Sequence, residues 1–80
     1  MTLFFSRRSI KFLAKCEVKT RKAIVDAIRE LPGQGDIQKL KGRIIKNTYR
    51  LRIGRYRVVY VWEVDQIRIL DINTRGDIYK

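Results

Sequence analysis

The chain has no histidine, one cysteine and one proline in 80 residues, and each shortage excludes something. Without imidazole the Ser-His and Cys-His nucleophile pairs are gone, so Lys, Arg, Tyr and carboxylates are left as chemical groups. A single cysteine, Cys16, cannot form an internal disulfide, and the usual Cys/His zinc spacings cannot be built. Long apolar runs are missing too. The cluster Leu3-Phe4-Phe5 is far shorter than a signal-peptide core or a spanning helix, so no membrane placement is expected and the free thiol fits a cytoplasmic protein. One proline, five glycines and 45% hydrophobic residues fit an ordinary globular chain. Its length allows one domain over residues 1–80, with a small core.

Acid is scarce where base is abundant. Nineteen Lys plus Arg stand against eight Asp plus Glu, a net charge of +11, and residues 37–57 hold eight bases with no acid. Such a block attracts polyanions, because each phosphate neutralised releases condensed counterions.

Hydrophobic spacing gives the elements. Thr2 to Ser6 reads as a first strand, and Ser6 as the cap of a short helix with Ile10, Leu13 and Ala14 inward. Glu17 to Leu31 is the clearer helix, with Ile24, Ala27, Ile28 and Leu31 in one apolar stripe, stopped by Pro32-Gly33 and the turn residues Gln34-Gly35-Asp36. The two helices are expected to form a hairpin. From Asn47 the period changes to two, and β-branched and aromatic residues dominate.

Gly54-Arg55 between Ile53 and Tyr56 fits a type II′ turn. The implied register sets Arg52 against Arg57, Arg50 against Val59 and Tyr49 against Tyr60. Tyr49, Leu51, Ile53, Tyr56, Val58 and Tyr60 then form a face for the helices to cover, and Trp62 packs beside Tyr60. The arginines share the other face. Like charges directly opposite repel by up to about 1 kcal/mol, so Arg52 against Arg57 calls for an anion, and a phosphate would serve. Asp65-Gln66 is expected to turn the chain into a last strand, Ile67 to Asn73. A two-residue loop puts Asp71 beside Tyr60 and leaves Val59, Val61 and Leu70 exposed on the arginine face, with Glu63 beside Arg68; a three- to five-residue loop would move this register.

Three runs, Lys39-Leu40-Lys41-Gly42, Tyr49-Arg50-Leu51-Arg52-Ile53-Gly54-Arg55-Tyr56-Arg57-Val58-Val59-Tyr60 and Arg75-Gly76-Asp77-Ile78-Tyr79-Lys80, resemble the RelE/ParE superfamily of bacterial toxin–antitoxin toxins. The resemblance implies an α+β fold: an N-terminal strand, a helix hairpin and a three-stranded antiparallel meander, with helices on one face of a four-stranded sheet. For the RelE-like branch it implies a ribosome-dependent endoribonuclease that cuts mRNA in the A site, the ribose 2′-OH attacking the adjacent phosphate. Arg50 and Arg52 match the basic pair that grips the phosphates, Arg57 the arginine that stabilises the developing charge, Arg75 the arginine near the leaving group, and Tyr79 the terminal tyrosine that orients a base. Lys39, Lys41, Arg43, Lys46 and Arg55 would hold RNA.

Arginine forks onto phosphate oxygens but is a poor base, so Tyr79 is the best proton acceptor the sequence offers. Thr74 stands where many relatives have histidine. The implied partners are a cognate antitoxin, the ribosome and mRNA, with DNA reached only through the antitoxin; neither metal nor organic cofactor is implied. Two alternatives stay open: a ParE-like toxin that poisons gyrase without cutting RNA, and a non-catalytic RNA-binding module.

Overall fold

Ser6 opens the first helix as its position suggests. Its hydroxyl oxygen accepts a hydrogen bond from the Ser9 backbone N–H at 3.1 Å, and the Ser9 hydroxyl donates to the Ser6 carbonyl at 2.8 Å, so an N–H left over at the helix start finds a partner. The structure, a computed structural model, describes residues 1–41 and 46–74. Strand β1 (Thr2–Phe5) leads into helices α1 (Arg7–Lys15) and α2 (Val18–Arg29). Strands β2 (Asp36–Lys39), β3 (Thr48–Ile53), β4 (Tyr56–Glu63) and β5 (Gln66–Thr74) follow. All five strands form one sheet in the order β1-β5-β4-β3-β2, with β1 parallel to β5 and the other pairs antiparallel.

The expected α+β order of strand, helix hairpin and meander is present, with one strand more than the four expected. Strand β2 starts at Asp36, expected as a turn residue, and continues through residues expected in no strand: Asp36–Lys39 has a single apolar side chain, Ile37, and follows Pro-Gly-Gln-Gly. Its extended shape comes from the ladder with β3, where Ile37 lies opposite Leu51.

The buried stripe of α2 is the expected one. Ile24, Ile28 and the following Leu31 pack with Leu51, Val58, Tyr60, Ile67, Ile69 and Ile72 of the sheet, and Ala27 lies against this cluster. Each such aliphatic side chain contributes about 1.5–3 kcal/mol by leaving water. In α1 the inward face matches the expectation at Leu13 and differs at Ile10 and Ala14. Ile10 is 55% exposed and Ala14 is exposed, whereas Ser9 is fully buried and Phe12, Leu13 and Cys16 pack on the core. Ser9 can take the central position because it is small and its hydroxyl is already bonded to Ser6. The thiol of Cys16 donates to the Phe12 carbonyl at 3.3 Å. Arg21 of α2 fastens the hairpin by donating to the Leu13 and Cys16 carbonyls at 2.8 and 3.1 Å, at the end of α1, where the Leu13 carbonyl also accepts from the Cys16 N–H at 3.2 Å.

The β3–β4 register is the expected one, from Ile53 opposite Tyr56 to Tyr49 opposite Tyr60. Gly54 has φ +55° with no positive φ at Arg55, as a type II′ turn requires. The β4–β5 register is not. Glu63 pairs with Gln66 across a Val64-Asp65 turn, and the ladder shifts between Val59 and Tyr60 so that Leu70 becomes an extra, bulged residue. The bulge resolves the conflict a regular two-residue register created. Ile67, Ile69 and Ile72 all reach the core, while Asp71 moves to the opposite face, across from Val59. The Ser6 hydroxyl donates to the Leu70 carbonyl at 2.7 Å, tying the start of α1 to this bulge.

Two expected exposures are also corrected. Val59 and Val61 are buried, at 8% and 3% exposure, and Leu70 is half-buried, so they form no open apolar dock. Arg50, directly opposite Val59, is itself only 8% exposed, and its apolar stem covers sheet surface as long cationic side chains do. Trp62 lies on the helix-covered side, 5.6 Å from Tyr49, but at its margin and 37% exposed.

Candidate nucleic-acid interface

Register turns scattered arginines into a site. The pairings align Asp36, Arg52, Arg57 and Asn73 in one row across β2, β3, β4 and β5, and Gln38, Arg50, Val59 and Asp71 in the next. Three guanidiniums thus share the face turned away from the helices. Strand β2 brings the groups that offset them. Asp36 has one carboxylate oxygen 3.9 Å from Arg50 Nη2 and the other 3.9 Å from Arg52 Nε, and Arg50 donates to Gln38 Oε1 at 2.7 Å. Asp36 is exposed, so each of its ion pairs is worth at most about 1 kcal/mol.

The compensation is incomplete. Arg57 forms no ion pair among the described residues, and its Nε is buried without a hydrogen-bond partner there; the same is true of Arg50 Nη1 and Asn73 Oδ1. Buried polar atoms normally have partners, and leaving one without costs about 1–3 kcal/mol. Asn73 donates through Nδ2 to Asp71 Oδ2 at 2.9 Å, so its amide has a fixed orientation.

The other residues singled out in the sequence are more dispersed. Lys39 pairs with Tyr49, which sets it on the face opposite the arginines at the exposed β2 edge; Lys41 and Lys46 are exposed on either side of residues 42–45. Arg55 sits at the hairpin tip with its guanidinium 6.0 Å from the Tyr56 ring centre. There it borders a cleft of about 370 Å³ between α2 and the β3–β4 turn, away from the arginine face. Arg43, Arg75 and Tyr79 lie outside the described residues.

Tyr60 is unsuited to proton transfer. It is fully buried on the core side, and burial, reinforced by neighbouring Tyr49, pushes its phenol up to about 12. Sequence reading missed Asp36, Gln38, Asp71 and Asn73 as members of this surface. The first two depend on an unrecognised strand and the last two on the bulge; the available signal was the opposed arginine pair, which required an offset nearby.

The fold is that of a toxin class. Residues 3–79 match the family model described as the ParE toxin of the type II toxin–antitoxin system, parDE. The chain belongs to the RelE/ParE superfamily and is a toxin of a type II toxin–antitoxin system. Among solved structures it is similar to a RelB–RelE antitoxin–toxin complex from Methanococcus jannaschii, with 30% identity over 95% of this chain and 94% of that one and a TM-score of 0.77. It is also similar to the RelBE2 toxin–antitoxin complex from Mycobacterium tuberculosis (26% identity, 92% and 96% coverage, TM-score 0.69). The isolated RelE toxin of E. coli shares the fold at 21% identity, with 91% and 82% coverage and a TM-score of 0.71. No curated protein matches the sequence.

Proposed function

We propose that this toxin is a metal-independent endoribonuclease that cleaves mRNA in the ribosomal A site. The observation that carries the reading is the alignment of Arg50, Arg52 and Arg57 in two adjacent rows of one sheet face, with Arg50 Nη1 and Arg57 Nε buried without partners among the described residues. A phosphodiester supplies what those groups lack: charge for the opposed pair and oxygen acceptors for the guanidinium forks. Arg50 and Arg52 hold the phosphates on either side of the scissile bond. Arg57 stabilises the charge that builds on the phosphoryl oxygens as the 2′-OH attacks, a task for donors fixed before reaction. Arg75 serves the leaving group and Tyr79 orients a base, as the family resemblance implies. Lys39, Lys41, Arg43, Lys46 and Arg55 hold RNA beyond the arginine face, Lys39 from the opposite side of the sheet and Arg55 from the hairpin tip, and the ribosome supplies alignment for in-line attack.

The partners under this reading are the ribosome, mRNA and a cognate antitoxin, and its place of work is the cytoplasm. The antitoxin is supported by similar toxins solved in complex with theirs. The matched family model, which describes ParE toxins, favours a second reading, a gyrase poison that leaves RNA intact.

The two readings separate in one experiment. The chain is induced briefly in bacteria and the 5′ ends of a translated reporter mRNA are mapped beside an untranslated copy. New ends confined to the translated copy and in phase with codons are expected, and Arg57→Ala and Arg75→Ala should each reduce them by about 10²–10³-fold. Intact mRNA in arrested cells refutes the nuclease and favours gyrase. Co-expressed antitoxin should abolish the arrest.

A further inference from the structure

The arginines of this face cannot take the proton from the 2′-OH, because a guanidinium has no acceptor site, and Tyr79, the acceptor expected from the sequence, lies outside the described residues. Tyr49, Tyr56 and Tyr60 belong to the core side of the sheet. Among the described residues, the arginine face carries three carboxylates. Glu63 is six residues along β4 from Arg57, about 20 Å away at strand spacing, and is engaged by Gln66 at 2.6 Å and Arg68 at 3.9 Å. Asp36 faces the guanidiniums of Arg50 and Arg52, so a proton taken there would weaken both contacts.

Asp71 is different. It stands opposite Val59 while Arg57 stands opposite Asn73, so it is the diagonal neighbour of Arg57, a separation of about 7–8 Å that side chains bridge. It is half-buried, it forms no ion pair among the described residues, and its Oδ2 accepts from Asn73, which fixes the carboxylate. The same patch holds two independent signs of an unfilled polar site. Arg50, more than nine-tenths buried, keeps Nη1 without a partner among the described residues, and Asn73 Oδ1 is likewise unpartnered across from Arg57 Nε.

We infer that Asp71 is the general base of the cleavage reaction, held in place by Asn73. This rests on the nuclease reading above. With the phosphate between Arg50, Arg52 and Arg57, the Asp71 carboxylate takes the 2′-OH proton while O2′ forms its bond to the adjacent phosphorus. The P–O5′ bond breaks, its electron pair leaves with O5′, and O5′ takes a proton from water. The hydroxide so formed is neutralised by the proton Asp71 gives up before the next cycle. The products are a 2′,3′-cyclic phosphate and a 5′-OH.

The test is single-turnover cleavage of mRNA on programmed ribosomes, with melting temperature and affinity for an mRNA carrying a 2′-deoxy residue at the cleavage position measured alongside. Asp71→Asn should slow cleavage by about 10²–10⁴-fold, the range for losing a general base, with affinity unchanged. Asp71→Glu keeps the carboxylate and should cut measurably faster than Asp71→Asn at the same affinity. If Asp71→Asn does not fold, Asp71→Ala decides: cleavage slowed by about 10²-fold or more at unchanged affinity and melting temperature supports the assignment, and cleavage within about threefold of the wild-type rate overturns it. Wild-type cleavage with Asp71→Asn within about threefold of it overturns the role of Asp71 and leaves the nuclease standing. No cleavage by the wild type overturns both.

Discussion

Replacing Arg57 by methionine should make the protein more stable and less active. The substitution keeps an unbranched stem over the sheet and removes two unfavourable features. One is the charge directly opposite Arg52, worth up to about 1 kcal/mol. The other is the buried Nε without a partner among the described residues, worth about 1–3 kcal/mol. Lost dispersion and residual solvation of the exposed part of the guanidinium offset some of this, so a net gain of about 1–2 kcal/mol is expected. In a domain this small each kcal/mol raises Tm by about 4–8 °C. Urea unfolding in 0.1 M and 1 M salt separates the two contributions. At 1 M the screening length falls to about 3 Å, so the charge part should fade while the part due to Nε persists. Arg57→Lys keeps the charge and should recover only the second part. The reporter-mRNA assay should show that Arg57→Met has lost cleavage, a stability gain set against function. An Arg57→Met protein less stable than wild type by more than about 0.5 kcal/mol would refute the argument that this face is held under electrostatic and solvation strain.

Tyr60→Phe removes a buried hydroxyl that has no partner among the described residues, and stability near neutral pH should be unchanged or slightly higher. The folded chain holds the Tyr60 proton up to about 12 whereas the unfolded chain releases it near 10, so the native state binds more protons between those values. Wild-type stability should therefore fall as pH rises through that window, and more steeply than that of Tyr60→Phe in parallel urea titrations. Gly35→Ala should cost about 1–3 kcal/mol, since Gly35 has φ +124° and an added Cβ would come within 2.6 Å of Leu51 Cδ1 in the core. Gly54→Ala, at φ +55° with open space around it, should cost less, about 1–2 kcal/mol in the same unfolding measurement. Asp36→Asn releases Arg50 and Arg52 from their carboxylate and should tighten binding of a short RNA at low salt; unchanged affinity would show that Asp36 does not compete with phosphate.

What was legible in the sequence follows from how local each signal is. The β3–β4 hairpin could be read to the residue because one dipeptide, Gly54-Arg55, sets its turn type and the turn sets every pairing behind it. The stripe of α2 was legible because Ile24, Ile28 and Leu31 repeat at helical spacing beside polar residues. In α1 the same rule found Leu13 but misplaced Ile10 and Ala14, since the buried centre is a serine whose suitability depends on its bond to Ser6, which no hydropathy pattern records. Strand β2 was invisible because four residues with one apolar side chain have no period of their own; β3 imposes their conformation.

The arginine half of the site was readable and its compensating half was not, and both facts have one cause. Arg50, Arg52 and Arg57 lie within eight residues joined by a tight turn, so local rules bring them together. Asp36 and Gln38 come from one side through a long-range ladder, and Asp71 and Asn73 from the other through a bulge tied down by Ser6. The repulsion read from the sequence was nevertheless sound. It implied that an anion must stand beside Arg52 and Arg57, and the fold supplies the Asp36 carboxylate 3.9 Å from Arg52 on one flank. Enough acid to satisfy all three guanidiniums would put protein carboxylate where the proposed function places phosphate. Under the proposed function a site that binds phosphate stays under-compensated, and the N–H groups of Arg50 and Arg57 without partners among the described residues are those that would donate to phosphate oxygens.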